Sequence, residues 1–279
     1  MAKQAKKRSK PDFNYRRFLT LVILFSGVAA LMLFNRKNQP AEAVHADFPL
    51  YDLLLVGSAA KGSLILNDIS IARYKLGDEK RDASIALTPW LKNGANLLTV
   101  TTSVLKSGVS PKVTFTLKTT QQDGTIKKEP LFTLTQPASK RTTIKAQNLP
   151  YWTWLDGKAT FHNEDELKVA ISALHKAYND KKLDVIAAVE DPLFKDMVRL
   201  TGREKLSERH YRKEIIIKGR VEPLASYRIV PFDNGRIMRA TGPDGEAPIR
   251  IYFNYGNGGK AILTGKYWSK INGEWRVVR

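Results

Sequence analysis

Apolar and polar positions follow three different rhythms along this chain. Residues 18–34, FLTLVILFSGVAALMLF, are a run of 17 without a charge. A helix of that length, rising ~1.5 Å per residue, is about 25 Å long, close to the ~30 Å hydrocarbon core of a bilayer. From residue 50 to about 144 the period is two. Val113, Phe115 and Leu117 alternate with Thr114, Thr116 and Lys118, as on a strand with one buried face. Strands are predicted at 50–56, 63–66, 69–74, 84–87, 96–104, 111–120, 131–135 and 142–145. Asn67-Asp68, Asn93-Gly94 and Asp123-Gly124 supply the turns. Short punctuated strands of this kind predict an antiparallel β-sandwich over 47–148.

After Asn163 the period becomes helical. Asn163 suits an N-cap, and Glu164, Asp165 and Glu166 follow in the first turn, where the helix dipole favours acids. Leu167, Ala170, Ile171, Leu174 and Tyr178 fall on one face. A second helical stretch, 183–189, is interrupted by Pro192 or gives way there to a third over 193–200. Strands resume at 214–218, 224–231, 236–240, 249–255, 261–269 and 275–278, with Asp233-Asn234-Gly235, Asp244-Gly245 and Asn272-Gly273 among the turns. Helices followed by a meander predict an α+β unit over 163–279. Between the two units, 149–162 holds Tyr151, Trp152 and Trp154. These three aromatics are either a sticky surface or the seal between domains.

Two resemblances sharpen this outline. The segments LILND (64–68) and IALTPWLKNGANLLTV (85–100) resemble galactose-binding-like jelly-roll domains, although Asp68 stands where Gly is usual there. That resemblance implies either sugar binding, with Trp90 as a stacking platform, or packing against a neighbouring domain. The closing run AILTGKYWSKINGEWRVV (261–278) and the helix over 165–182 resemble nuclear-transport-factor-2-like cones, in which helices pack on a curved antiparallel sheet. Those cones host isomerases, dehydratases and non-catalytic ligand or assembly modules. The enzymes place an Asp, His or Tyr inside the cone, so the resemblance marks His175, Tyr178, Asp196, His210 and Tyr227 as pocket candidates.

Charge adds an expected topology. The segment 1–17 carries +6, Arg36 and Lys37 add two, and of the total +19 this leaves +11 beyond residue 37. Basic residues flanking an apolar span stay cytoplasmic. The expectation is a single-pass inner-membrane protein: a cytoplasmic tail at 1–17, a span at 18–34, a linker at 35–46 and two exported domains. A cleaved signal peptide ending at Val44-His45-Ala46 is the rival reading. Export argues against nucleic acid and leaves an envelope protein or an anionic polymer as the partner. The absence of cysteine excludes thiol catalysis, iron–sulfur clusters and thiolate zinc sites.

No spacing in the chain supports a nucleophile, a metal or a cofactor. His162, Glu164, Asp165 and Glu166 crowd together, but an acidic first helical turn accounts for them. The loop 256–260, GNGGK, lies between strands rather than before a helix, so it reads as a hairpin and not a phosphate cradle. The run 199–220 is strongly basic, with Arg209 and Arg212 at its centre. The resulting expectation is a membrane-anchored binding or scaffold protein without catalysis. Its contact surface combines Tyr151, Trp152, Trp154, Arg209 and Arg212. The alternative is an anchored enzyme or small-ligand binder using His175, Tyr178, Asp196 and Tyr227 in the cone.

Overall fold

The computed structural model describes residues 47–158, 163–202, 216–255 and 258–279. The first unit contains β1 (Leu50–Ser58), β2 (Ala60–Leu66), β3 (Ile69–Leu76), β4 (Arg81–Ala86), β5 (Gly94–Val104), β6 (Lys112–Thr120), β7 (Ile126–Leu134) and β8 (Ala138–Ala146). These form two antiparallel sheets, ordered β4-β1-β6-β7 and β3-β2-β5-β8. The period-two pattern puts Leu53, Leu55, Val113 and Phe115 from one sheet against Leu64, Leu66, Leu98 and Val100 from the other, all fully buried. The expectation of a β-sandwich is loosely compatible with this arrangement.

Local chemistry sets the corners. Ala59 crosses between the sheets at φ 52°, tied by its N–H to the Gly77 carbonyl at 2.6 Å. Asn67 and Asp68 both take positive φ (49° and 65°), which lets a two-residue turn join β2 to β3 without splaying them. Gly62 is required by a close approach: a Cβ there would lie 1.9 Å from the Thr101 carbonyl and 2.6 Å from the Tyr74 ring.

The second unit contains α1 (Glu164–Asn179), α2 (Leu183–Thr201), β9 (Arg220–Val221), β10 (Arg228–Phe232), β11 (Ile237–Thr241), β12 (Ile249–Tyr255), β13 (Gly258–Thr264), β14 (Tyr267–Ile271) and β15 (Glu274–Val277). Leu167, Ile171, Leu174 and Tyr178 of α1 and Ile186, Leu193 and Met197 of α2 share one core with Met238, Ile249, Ile251, Trp268 and Val277.

Several expectations are corrected here. Instead of one curved sheet, the described strands of this unit form two, ordered β10-β11-β14-β15 and β13-β12-β9. The single strand expected over 261–269 breaks at Gly265, whose φ of 76° redirects the chain while its carbonyl accepts the Trp268 indole N–H at 2.6 Å. Residues 216–218 form a helical turn rather than the end of a strand. Lys181 Nζ holds that turn through the carbonyls of Ile216 and Gly219, each at 2.6 Å. Asn163 begins α1, but its side chain caps no backbone N–H and instead donates to Glu166 at 3.3 Å.

Pro192 does not end a helix, since α2 runs through it. A proline lacks the N–H that would bond the carbonyl four residues back. That carbonyl belongs to Ala188, and Arg276 of β15 donates to it at 2.6 Å, supplying the missing donor.

The single-pass architecture is also corrected. The described chain is mostly β, and none of its helices is long and apolar enough to cross a membrane. The longest, α2, carries Asp184, Glu190, Asp191, Lys195, Asp196 and Arg199. The inner-membrane, single-pass placement therefore has no support in the described structure. The tail, span and linker expected over 1–46 lie outside the described residues.

Candidate functional site

The aromatic join folds inward. Tyr151 is 58% exposed, whereas Trp152 and Trp154 are wholly buried. Trp152 meets Phe48 edge-on with centroids 5.9 Å apart and donates its indole N–H to the Leu91 carbonyl at 3.0 Å. Trp154 donates to the Pro89 carbonyl at 3.2 Å, and Lys92 Nζ lies 5.4 Å from its ring centroid. Trp90 packs edge-on against Tyr267 at 4.9 Å, so it is a buried contact between units and not an open stacking platform. Burial withdraws Trp152 and Trp154 from the expected contact surface. Arg209, Arg212 and His210 lie outside the described residues.

A buried charge centre locks the same seam. Asp196 of α2 is fully buried and faces Arg279 at 3.0 Å and Arg199 at 3.1 Å, and it accepts the Thr153 backbone N–H at 3.0 Å. Arg279 also donates to the Pro89 carbonyl at 2.8 Å, with its guanidinium 5.7 Å from the Trp90 ring and 5.2 Å from Trp152. Burial lowers its pKa from the ordinary arginine value, and Asp196 acts in the opposite direction. One ion pair thus ties the sandwich, the join and α2 together.

The four described cone candidates each bond to different neighbours. Asp196 is taken up in this centre. His175 Nε2 contacts the Glu222 carbonyl at 2.7 Å. Tyr227 interacts with Ser172, and burial raises its pKa. Tyr178 donates to Glu190 Oε1 at 2.7 Å, and the Thr264 hydroxyl donates to the same oxygen at 2.5 Å. Glu190 was not singled out from the sequence. Its signal was positional: Ile186, Glu190, Leu193 and Met197 recur at helical spacing on the buried face. A buried carboxylate met by two hydroxyls is a satisfied structural group. Among the described residues no cluster of His, Cys, Asp and Glu could hold a metal ion.

The remaining feature is electrostatic. On the outer face of the β3-β2-β5-β8 sheet, Lys61, Arg73, Lys75, Arg141 and Lys145 are all exposed. The register places Lys61 opposite Lys75, Arg73 opposite Ser63, Arg141 opposite Thr99 and Lys145 opposite Ala95. The other outward positions on these strands are Ser, Thr, Ala, Leu and Ile, so the face carries no carboxylate. Like charges directly across a strand pair are destabilising, so Lys61 and Lys75 are costly to the fold.

The chain matches no family model, no curated protein and no solved structure. Neither resemblance drawn from the residues therefore gains support from a match.

Proposed function

We propose that this protein is a non-catalytic binding module for an anionic polymer, engaged by the outer face of the β3-β2-β5-β8 sheet. The observation that carries the reading is the concentration of Lys61, Arg73, Lys75, Arg141 and Lys145 on a face without carboxylates. The Lys61–Lys75 juxtaposition is unfavourable alone and becomes favourable against an anion. The Ser and Thr hydroxyls between the cations, such as Ser63 and Thr101 at 2.7 Å, add hydrogen-bonding capacity to the same face. Against an enzymatic role, the two fully buried carboxylates among the described residues of the second unit are engaged with their own neighbours: Asp196 with Arg279, and Glu190 with Tyr178 and Thr264. The earlier ground for excluding nucleic acid was the exported topology, and that ground no longer holds. Nucleic acid therefore belongs among the polymers to test.

The experiment is a salt titration of binding to heparin, long-chain polyphosphate and a single-stranded oligonucleotide. Five contacting cations predict a log–log slope of roughly −4, falling by about one for each cation removed. Lys61→Glu with Arg141→Glu weakens binding strongly while leaving the sheet intact. Equal binding by this variant and the wild type refutes the reading.

A further inference from the structure

A second group of cations lies where the basic face meets the second unit. Arg73 stands at the edge of the sheet, and the loop joining β11 to β12 comes up against it. A Cβ on Gly245 would lie 3.3 Å from Arg73 Nη1. Arg239 sits on β11 beside it. In the β10–β11 ladder Val230 is opposite Arg239, which puts Arg228 diagonally next to Arg239 on one face. The Arg239 guanidinium stacks 4.6 Å from the Phe232 ring centroid, and its Nε is buried without a hydrogen-bond partner. Lys266 lies in the turn before β14, with 16% of its side chain exposed.

The carboxylates here do not balance these charges. Asp244 is engaged by Arg250. Glu246 is 3.7 Å from Lys266 Nζ, a loose ion pair rather than a hydrogen bond. Burial, above all, lowers the pKa values of both Arg239 and Lys266. Tyr267 works against that shift at Arg239 and Glu246 works against it at Lys266, while Arg228 and Arg73 press Arg239 down and Arg239 and Arg73 press Lys266 down. Partly desolvated cations that repel one another are a standing electrostatic cost in the free protein.

We propose that Arg73, Arg239 and Lys266, with Arg228 at the rim, form a discrete binding site for a phosphoryl-type oxyanion at the seam between the two units. Guanidinium forks bind such groups through paired hydrogen bonds, and the ammonium adds a point charge. An oxyanion at the seam supplies negative charge that Asp244 and Glu246 do not provide in full. Arg73 belongs both to this site and to the outer face, so a phosphorylated polymer lying on the sheet would place one phosphoryl group here. In that respect the inference rests on the polyanion reading, although a free phosphate satisfies the same chemistry.

The test is calorimetric titration of the full chain with orthophosphate, and separately with polyphosphate, at constant ionic strength set by chloride. Orthophosphate is expected to bind at one site and raise the unfolding temperature beyond the chloride control. Arg239→Gln and Lys266→Met should each weaken it by about tenfold or more, the loss of one charged hydrogen bond. Arg73→Gln changes an exposed residue and keeps the fold, so its loss of binding does not reflect unfolding. Lys128→Glu, exposed on β7 of the other sheet, should leave orthophosphate binding unchanged. No orthophosphate binding beyond chloride, or equal affinity in the Arg73, Arg239 and Lys266 variants, overturns the site. If polyphosphate still binds the wild type and is lost with Lys61→Glu and Arg141→Glu, only the seam site has failed. If polyphosphate, heparin and the oligonucleotide all fail to bind, the polymer reading fails independently.

Discussion

Asp196→Asn tests the seam most directly. Asp196 is wholly buried, and Arg279, 3.0 Å away, keeps only 7% of its side chain exposed. Replacing the carboxylate with an amide of the same shape leaves the Arg279 charge buried between Trp90 and Trp152. Breaking one side of a buried pair costs about 3–5 kcal/mol, because the partner keeps its desolvation penalty and loses its compensation. For a chain of this size that lowers the unfolding temperature by roughly 6–20 °C. Arg279→Met is milder, about 1–3 kcal/mol, because Asp196 keeps Arg199 at 3.1 Å and the Thr153 N–H at 3.0 Å. The double variant should be little worse than Arg279→Met alone, giving a coupling energy of about 2 kcal/mol or more. Urea denaturation followed by tryptophan fluorescence reads all three, since Trp90 and Trp152 flank the guanidinium. Strictly additive losses, or a shift under about 2 °C for Asp196→Asn, would show that the pair does not lock the seam.

Three further outcomes follow from the packing. The Tyr267 hydroxyl donates to the Ser70 carbonyl at 2.6 Å, and burial pushes its pKa up to about 12 from 10.0. Between these values the unfolded chain loses this proton first, so stability should fall as pH rises through that window. Tyr267→Phe should flatten that slope in pH-dependent denaturation, and an unchanged slope would contradict the assignment. Arg276→Ala removes the donor from the Ala188 carbonyl and should cost about 1–3 kcal/mol. The loss should shrink markedly when Pro192→Ala restores the helix's own N–H, as a double-mutant cycle would read. Gly62→Ala forces a Cβ to within 1.9 Å of the Thr101 carbonyl and should destabilise the sandwich more than Gly94→Ala. Gly94 has only its φ of 97° to lose, so thermal melts that rank the two in reverse would refute the close-approach reading.

Patterns of short range were legible in the sequence. Alternation at period two marks the inward faces of β1, β5 and β6, because successive side chains on a strand point to opposite sides. Asn67-Asp68 and Asn272-Gly273 announce their turns because few residues tolerate the positive φ found there. Glu190 was missed, although it falls with Ile186, Leu193 and Met197 on one apolar helical stripe. Other features depended on partners distant in the chain. Pro192 stays inside a helix only because Arg276 arrives from β15 to satisfy Ala188. Trp152 and Trp154 looked like a surface, and whether an aromatic cluster faces water or a neighbour is decided by what packs on it, here Phe48, Leu91 and Pro89. The seam cations are dispersed from residue 73 to residue 266, and folding gathers them because β3 and the β11–β12 loop meet at Gly245. Local propensity is a property of neighbouring residues and can be read in order. Burial and charge compensation belong to groups that only the tertiary structure brings together.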